Sequence, residues 1–125
     1  AWLAGILMYI AKTENTNFGF DIACINQIEL IKYTNGGEYV MHQDTDWNKY
    51  PYQRKLSMTI QLSNPEDYEG GDFIFRDDNL SQIENIYKDK GSIIIFPSIM
   101  QHKIAPVTKG ERLALVAWVE GPAWR

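Results

Sequence analysis

A chain of 125 residues, 45% apolar and 22% charged, has the size and composition of one globular domain spanning 1–125. Its 12 basic and 16 acidic residues leave a net charge of −4 with neither sign clustered, which excludes an extended nucleic-acid footprint and an acidic tail. The single cysteine, Cys24, excludes an internal disulfide; it is expected as a small buried apolar residue, and a reducing, cytoplasmic compartment fits.

The opening AWLAGILMYI is apolar, too short to span a bilayer and without the basic stretch of a signal peptide. Leu3, Leu7 and Ile10 recur at helical spacing, which predicts a helix from 2 to about 14, stopped by Asn15, Asn17 and Gly19. The chain starts without Met inside this apolar run, so part of an N-terminal helical region is expected to be missing. From there the pattern changes to short β runs separated by turn residues. Strands are predicted at 23–34, closed by Asn35-Gly36-Gly37, and at 38–41. A polar, aromatic loop is predicted at 44–54, followed by strands at 56–62, at 72–76 after Gly70-Gly71, and at 92–96, where Pro97 stops the run. A last pair, 101–107 and 111–120, is joined by Thr108-Lys109-Gly110. Asp77, Asp78, Lys88, Asp89 and Lys90 read as a solvated hairpin. The fold class expected is mainly β: an eight-stranded, cupin-like jelly roll enclosing a pocket, with the N-terminal helix packed on it.

The strongest local motif is His42-Gln43-Asp44. In an extended segment side chains at i and i+2 point to one side, so the imidazole and the carboxylate face one point. The other histidine, His102, falls in a different predicted strand. Two imidazoles and one carboxylate make the facial triad of non-haem iron(II) oxygenases, which keeps coordination positions open. Taken singly, an H-x-D is a common tripeptide, and a lone histidine is more often a hydrogen-bonded structural residue.

His102 and Arg112 flank the last predicted hairpin, and antiparallel pairing about its turn sets them nearly opposite each other. Arg112 shares a strand face with Ala114, Val116 and Trp118, but Leu113, Leu115 and Ala117 are apolar too, so the pattern leaves the inward face undecided. An inward guanidinium needs an anion, and a free carboxylate suits its planar fork. The alternative is an exposed Arg112 paired with Glu111 or Glu120. Tyr33 ends the long first strand; its ring packs while its phenol can donate to a carboxylate, and plain core or rim is the other reading. The loop TDWNKYPYQR gathers Trp47, Tyr50 and Tyr52 directly after the motif, and Tyr39 lies just before it. It reads as a lid over a substrate or as an aromatic cluster capping one end of the barrel.

These residues add up to a known pattern. The stretches YTNGGEYVMHQDT (33–45), RKLSMTIQLSNPEDYEGGDFIF (54–75) and GSIIIFPSIMQHKIAPVTKGERLALVAW (91–118) resemble the prolyl 4-hydroxylase-like branch of the 2-oxoglutarate- and iron(II)-dependent dioxygenases, especially the bacterial PKHD-type hydroxylases. The resemblance implies a double-stranded β-helix in which His42, Asp44 and His102 ligate Fe(II). It implies that Arg112 holds the distal carboxylate of 2-oxoglutarate and that Tyr33 lines the cosubstrate pocket. Gln61 stands where relatives often place a tyrosine that contacts the cosubstrate, and Trp118 where some have a tryptophan close to the metal. The activity implied is hydroxylation of an unactivated C–H by dioxygen, on a peptidyl-proline, another amino-acid side chain or a small molecule, releasing succinate and carbon dioxide, with ascorbate as an accessory reductant. Asp44 separates the chain from the halogenases of the superfamily, which replace this carboxylate by a small residue. Trp118, where the nucleic-acid demethylases carry a second arginine, separates it from that branch. Residues 1–30 match only loosely.

Two other readings stay open. One is a cupin-like metalloenzyme that does not use 2-oxoglutarate, although two histidines are few for it. The other is a non-catalytic jelly-roll module that binds a ligand such as carbohydrate through its aromatic residues.

Overall fold

A computed structural model describes residues 2–37, 39–47, 51–75 and 88–124, with the backbone alone described for 39–41. The predicted helix forms as α1, Trp2–Glu14. It is followed by nine strands among the described residues: β1 Cys24–Tyr33, β2 Tyr39–His42, β3 Tyr52–Gln61, β4 Tyr68–Gly70, β5 Phe73–Phe75, β6 Ile93–Pro97, β7 His102–Ile104, β8 Val107–Gly110 and β9 Arg112–Pro122. They form a four-stranded sheet in the order β1-β9-β3-β6, a three-stranded sheet β2-β7-β5 and a β4-β8 pair, with every pairing antiparallel. No helix among the described residues is long and apolar enough to cross a membrane.

The four-stranded sheet is covered on both faces, which explains why β9 is apolar at both parities. On one face Leu7 and Ala11 of α1 pack against Leu56, Met58, Ala117 and Val119. Full enclosure of side chains such as Leu7, Leu56, Met58 and Val119 stabilises the fold by about 1.5–3 kcal/mol each. On the other face Tyr33, Phe96 and Ala114 meet Phe73, Phe75, Ile104 and Val107 from the smaller sheets. Strand β3 shows the division most clearly. Leu56 and Met58 belong to the helix side, whereas Ser57 and Thr59 line a cavity on the other.

The last predicted hairpin does not form. β7 pairs with β2 and β5, β8 turns away to β4, and β9 runs between β1 and β3. Pro106 lies between β7 and β8, where it cannot donate to a ladder, and its carbonyl instead accepts from Gly71 N at 3.0 Å. His102 and Arg112 are therefore not cross-strand neighbours but sit in two different sheets: His102 faces His42 in the register, and Arg112 faces Tyr33. The loop predicted at 44–54 is also shorter than expected, because Tyr52 to Arg54 already pair with β9. Cys24 is exposed rather than buried, since it opens β1 at the edge of the sheet. The strand predicted at 72–76 is observed as Phe73–Phe75; Arg76, Asp77 and Asp78 lie outside the described residues, and Lys88 pairs with Asp72 at 2.6 Å.

The Gly70-Gly71 pair is explained by this crossing. Gly70 has φ +81°, and a Cβ there would lie 2.3 Å from the carbonyl oxygen of Pro106. Gly70→Ala combines positive-φ strain with a clash against backbone that cannot swing away, so a loss of about 3 kcal/mol and a fall in Tm of about 10 °C are expected. A thermal melt matching the parent protein would show that the close approach does not exist.

Candidate metal and cosubstrate site

His42 ends β2 directly opposite His102 of β7, which places the two imidazole centroids 4.3 Å apart. Asp44 follows just beyond the strand. Its backbone is pinned by the Phe96-Pro97-Ser98 turn: the Ser98 carbonyl accepts from Asp44 N at 2.9 Å and from Thr45 N at 3.3 Å, while Ser98 N donates to Lys55 O at 2.9 Å. The result brings Asp44 Oδ1 to 3.2 Å from His42 Nε2 and 3.4 Å from His102 Nε2. One ligand atom from each of the three residues lies within 4.8 Å of the others.

The surroundings fix what each atom can offer. His102 Nδ1 is 3.0 Å from the Met100 carbonyl, which can only accept, so Nδ1 carries the proton and Nε2 keeps its lone pair for a ligand. The ring is held flat against Phe73 at 5.4 Å and edge-on to Phe96 at 4.8 Å. Asp44 Oδ2 accepts from Ser57 Oγ at 2.5 Å and from Trp118 Nε1 at 3.0 Å. Burial pushes the Asp44 carboxyl upward, but the adjoining His102 imidazole and the hydrogen bonds from Ser57 and Trp118 outweigh it and hold it down at about 2. Two imidazole nitrogens and a carboxylate oxygen facing one another are the donor set suited to a divalent iron, and a cation relieves the repulsion of their lone pairs.

A second feature lies on the same side of the large sheet. Arg112 is 5% exposed, so the exposed alternative is excluded, and Glu111 pairs with Lys32 instead at 3.4 Å. Its Nε donates to Gln61 Oε1 at 3.1 Å, and Gln61 Nε2 in turn donates to Tyr68 Oη at 2.6 Å. The guanidinium lies over the Tyr33 ring at 5.1 Å. One nitrogen, Nη1, is buried without a hydrogen-bond partner among the described residues. Such an orphan in a packed interior calls for an acceptor, and a carboxylate answers both the hydrogen bond and the charge.

A cavity of about 310 Å³ opens beside these groups, lined among others by Ile31, Tyr33, His42, Asp44, His102 and Trp118. That is at the lower end of small-molecule sites. Trp47 and Tyr52 do not line it. Trp47 is half exposed, packs towards Trp124 at 6.5 Å and, with the Gln43 carboxamide turned to satisfy both neighbours, donates from Nε1 to Gln43 Oε1 at 3.0 Å while Gln43 donates to Ile99 O at 3.0 Å. Tyr52 is exposed on β3. Tyr50 lies outside the described residues, as does the side chain of Tyr39. The reading from sequence missed Ser57, Ser98 and Tyr68; Arg54, the last residue of the TDWNKYPYQR stretch, sits with its guanidinium 4.0 Å above the Trp118 ring at the cavity wall. A usable signal existed for Ser57: Ser57, Thr59 and Gln61 alternate with Leu56, Met58 and Ile60, the period of a strand with one polar face.

Residues 28–120 match the family model described as 2OG-Fe(II) oxygenase superfamily. A PKHD-type hydroxylase of Parvibaculum lavamentivorans is 38% identical over 94 residues, covering 74% of this chain and 41% of the relative. One from Aliarcobacter butzleri is 32% identical over 102 residues, covering 75% of this chain and 44% of the relative. The chain thus spans less than half the length of these curated relatives. A Pseudomonas putida prolyl-4-hydroxylase superposes with a TM-score of 0.70 at 17% identity, over 94% of this chain and 64% of the other. A viral collagen prolyl hydroxylase of Paramecium Bursaria Chlorella virus-1, solved as a 2OG complex, gives 0.67 at 18% identity, over 97% and 74%. At these identities the two structures establish a common fold, the jelly roll of this oxygenase class.

Proposed function

The chain belongs to the 2OG-Fe(II) oxygenase superfamily, and from that membership we propose that it forms the catalytic centre of a hydroxylase that inserts oxygen into an unactivated C–H bond. The observation that carries this reading is the convergence of His42, Asp44 and His102 beside a cavity whose neighbouring buried guanidinium has a nitrogen without an acceptor. His42, Asp44 and His102 hold Fe(II), and Arg112 takes the distal carboxylate of 2-oxoglutarate. Iron(II) with 2-oxoglutarate and dioxygen supplies the oxidising power, releasing succinate and carbon dioxide.

The chain's own residues do the positioning. The Met100 carbonyl and the Phe73 and Phe96 rings set the plane and the tautomer of His102. Gln61 and Tyr68 hold the Arg112 fork at a fixed angle, and the Tyr33 ring closes one face of it. Ile31, Phe73 and Val116 give the cavity an apolar wall that keeps water from the reacting carbon. The substrate class favoured is a peptidyl-proline or another amino-acid side chain, in line with the names of the relatives. Trp47, Tyr50, Tyr52 and Tyr39 remain the substrate-side candidates. The reducing, cytoplasmic setting and accessory ascorbate belong to the same proposal.

Anaerobic addition of Fe(II) and 2-oxoglutarate is expected to raise a weak metal-to-ligand charge-transfer band in the visible. Exposure to air with a peptide and amino-acid panel is then expected to release succinate. Iron binding without the band favours the metalloenzyme that does not use 2-oxoglutarate, and absence of iron binding favours the non-catalytic module.

A further inference from the structure

We propose that Ser57, Ser98 and Trp118 are positioning residues that keep Asp44 a one-oxygen ligand, so that the site retains a place for dioxygen once the cosubstrate is bound. This rests on the proposed function above.

The two oxygens of Asp44 stand in different chemical situations. Oδ1 faces His42 and His102 at 3.2 and 3.4 Å. Oδ2 is instead engaged by two donors, the Ser57 hydroxyl at 2.5 Å and the Trp118 indole at 3.0 Å. Neither donor is free to leave. The Ser57 hydroxyl lies 2.9 Å from that of Ser98, which is fully buried, and the Ser98 carbonyl holds the Asp44 and Thr45 amides. Ser57 and Trp118 are cross-strand partners on β3 and β9, which fixes the spacing of the two donors. The Arg54 guanidinium lies on the Trp118 ring at 4.0 Å and donates to Gln27 Oε1 at 3.0 Å, so the indole is braced from the cavity rim. An indole N–H can only donate, so it has no better partner in this setting than a carboxylate oxygen.

The consequence is arithmetic. A facial triad with a one-oxygen carboxylate leaves three of six positions open, and a chelating cosubstrate takes two of them. A carboxylate that bound through both oxygens would take the last one. The clamp on Oδ2 thus serves the oxygen site rather than metal affinity, because a released Oδ2 adds a bond to the metal instead of removing one.

The test uses nitric oxide as a stand-in for dioxygen and needs no turnover. Ser57→Ala, Trp118→Phe and the double variant are loaded anaerobically with Fe(II) and saturating 2-oxoglutarate, and nitric oxide is titrated by the EPR signal of its iron adduct. A chromophoric chelator reports metal affinity in parallel. The double variant is expected to bind nitric oxide about tenfold more weakly per iron, with metal affinity falling by clearly less than the roughly 10–100-fold that loss of outer-sphere partners can cost, and Ser57→Thr close to the parent. Unchanged nitric oxide affinity in a folded variant overturns the inference, as does a loss of metal affinity in the same proportion. If the double variant does not fold, Ser57→Ala alone is read by the same criteria. A parent protein that shows no charge-transfer band removes the proposed function and this inference with it, whereas a band with unchanged nitric oxide binding removes this inference alone.

Discussion

Arg112→Met is expected to abolish measurable 2-oxoglutarate binding while leaving the metal-free protein within about 2 kcal/mol of its original stability. The two halves follow from different balances. For binding, Arg112 is buried and its Nη1 has no partner among the described residues, so under the proposed function a cosubstrate carboxylate would complete a desolvated ion pair. Losing one partner of such a pair costs about 3–5 kcal/mol, or about 10²–10⁴-fold in Kd. For stability, the substitution strands Gln61 Oε1, which accepts from Arg112 Nε at 3.1 Å, at a cost of about 1–3 kcal/mol. Against this, it removes a buried charge that the metal-free protein leaves uncompensated, a gain of about 1–4 kcal/mol when an apolar side chain fills the space. Denaturant melts and anaerobic titration of the charge-transfer band read the two quantities separately. Arg112→Lys keeps the charge but not the fork and falls between the extremes. Retention of parental cosubstrate affinity by the Met variant would remove Arg112 from the site.

The second large effect is expected at Asp44. Asp44→Asn should lower Fe(II) affinity by about 10²–10³-fold, because an apparent 10–16 kcal/mol for a four-ligand structural zinc site amounts to about 2.5–4 kcal/mol per ligand. The fold should survive. The Asn oxygen can accept from Ser57 and Trp118 as Oδ2 does now, and its amide can donate to His102 Nε2, the acceptor 3.4 Å from the present Oδ1. A Tm within a few degrees of the parent, with iron lost in a chelator competition, is the outcome consistent with a ligand role. Full metal affinity in this variant would show that the carboxylate is not a ligand, and the triad assignment would fail.

Local pattern carried much of this protein. The spacing of Leu3, Leu7 and Ile10 placed α1 at its observed bounds, because an amphipathic period is a property of neighbouring residues. The closeness of His42 and Asp44 was legible for the same reason, being two residues apart, whereas the bend that aims Asp44 past the end of β2 depends on the distant Ser98 carbonyl. The turn residues likewise located most of the strands, since positive φ and missing amide donors act at single positions.

What local pattern left open were the relations between distant segments. Nothing in the order of residues 101–120 says that β7 and β9 belong to different sheets, because hairpin and crossover connections use the same turn residues. The inward face of β9 was undecidable from alternation, as a sheet buried between a helix and a second sheet has no polar side to mark it. The partners that give Asp44 its low pKa, and the buried Arg112 nitrogen on which the proposed anion site rests, arise only when chain segments tens of residues apart meet in a space closed to water. Hydrogen bonds gain their selectivity there from desolvation, which has no counterpart along an extended chain.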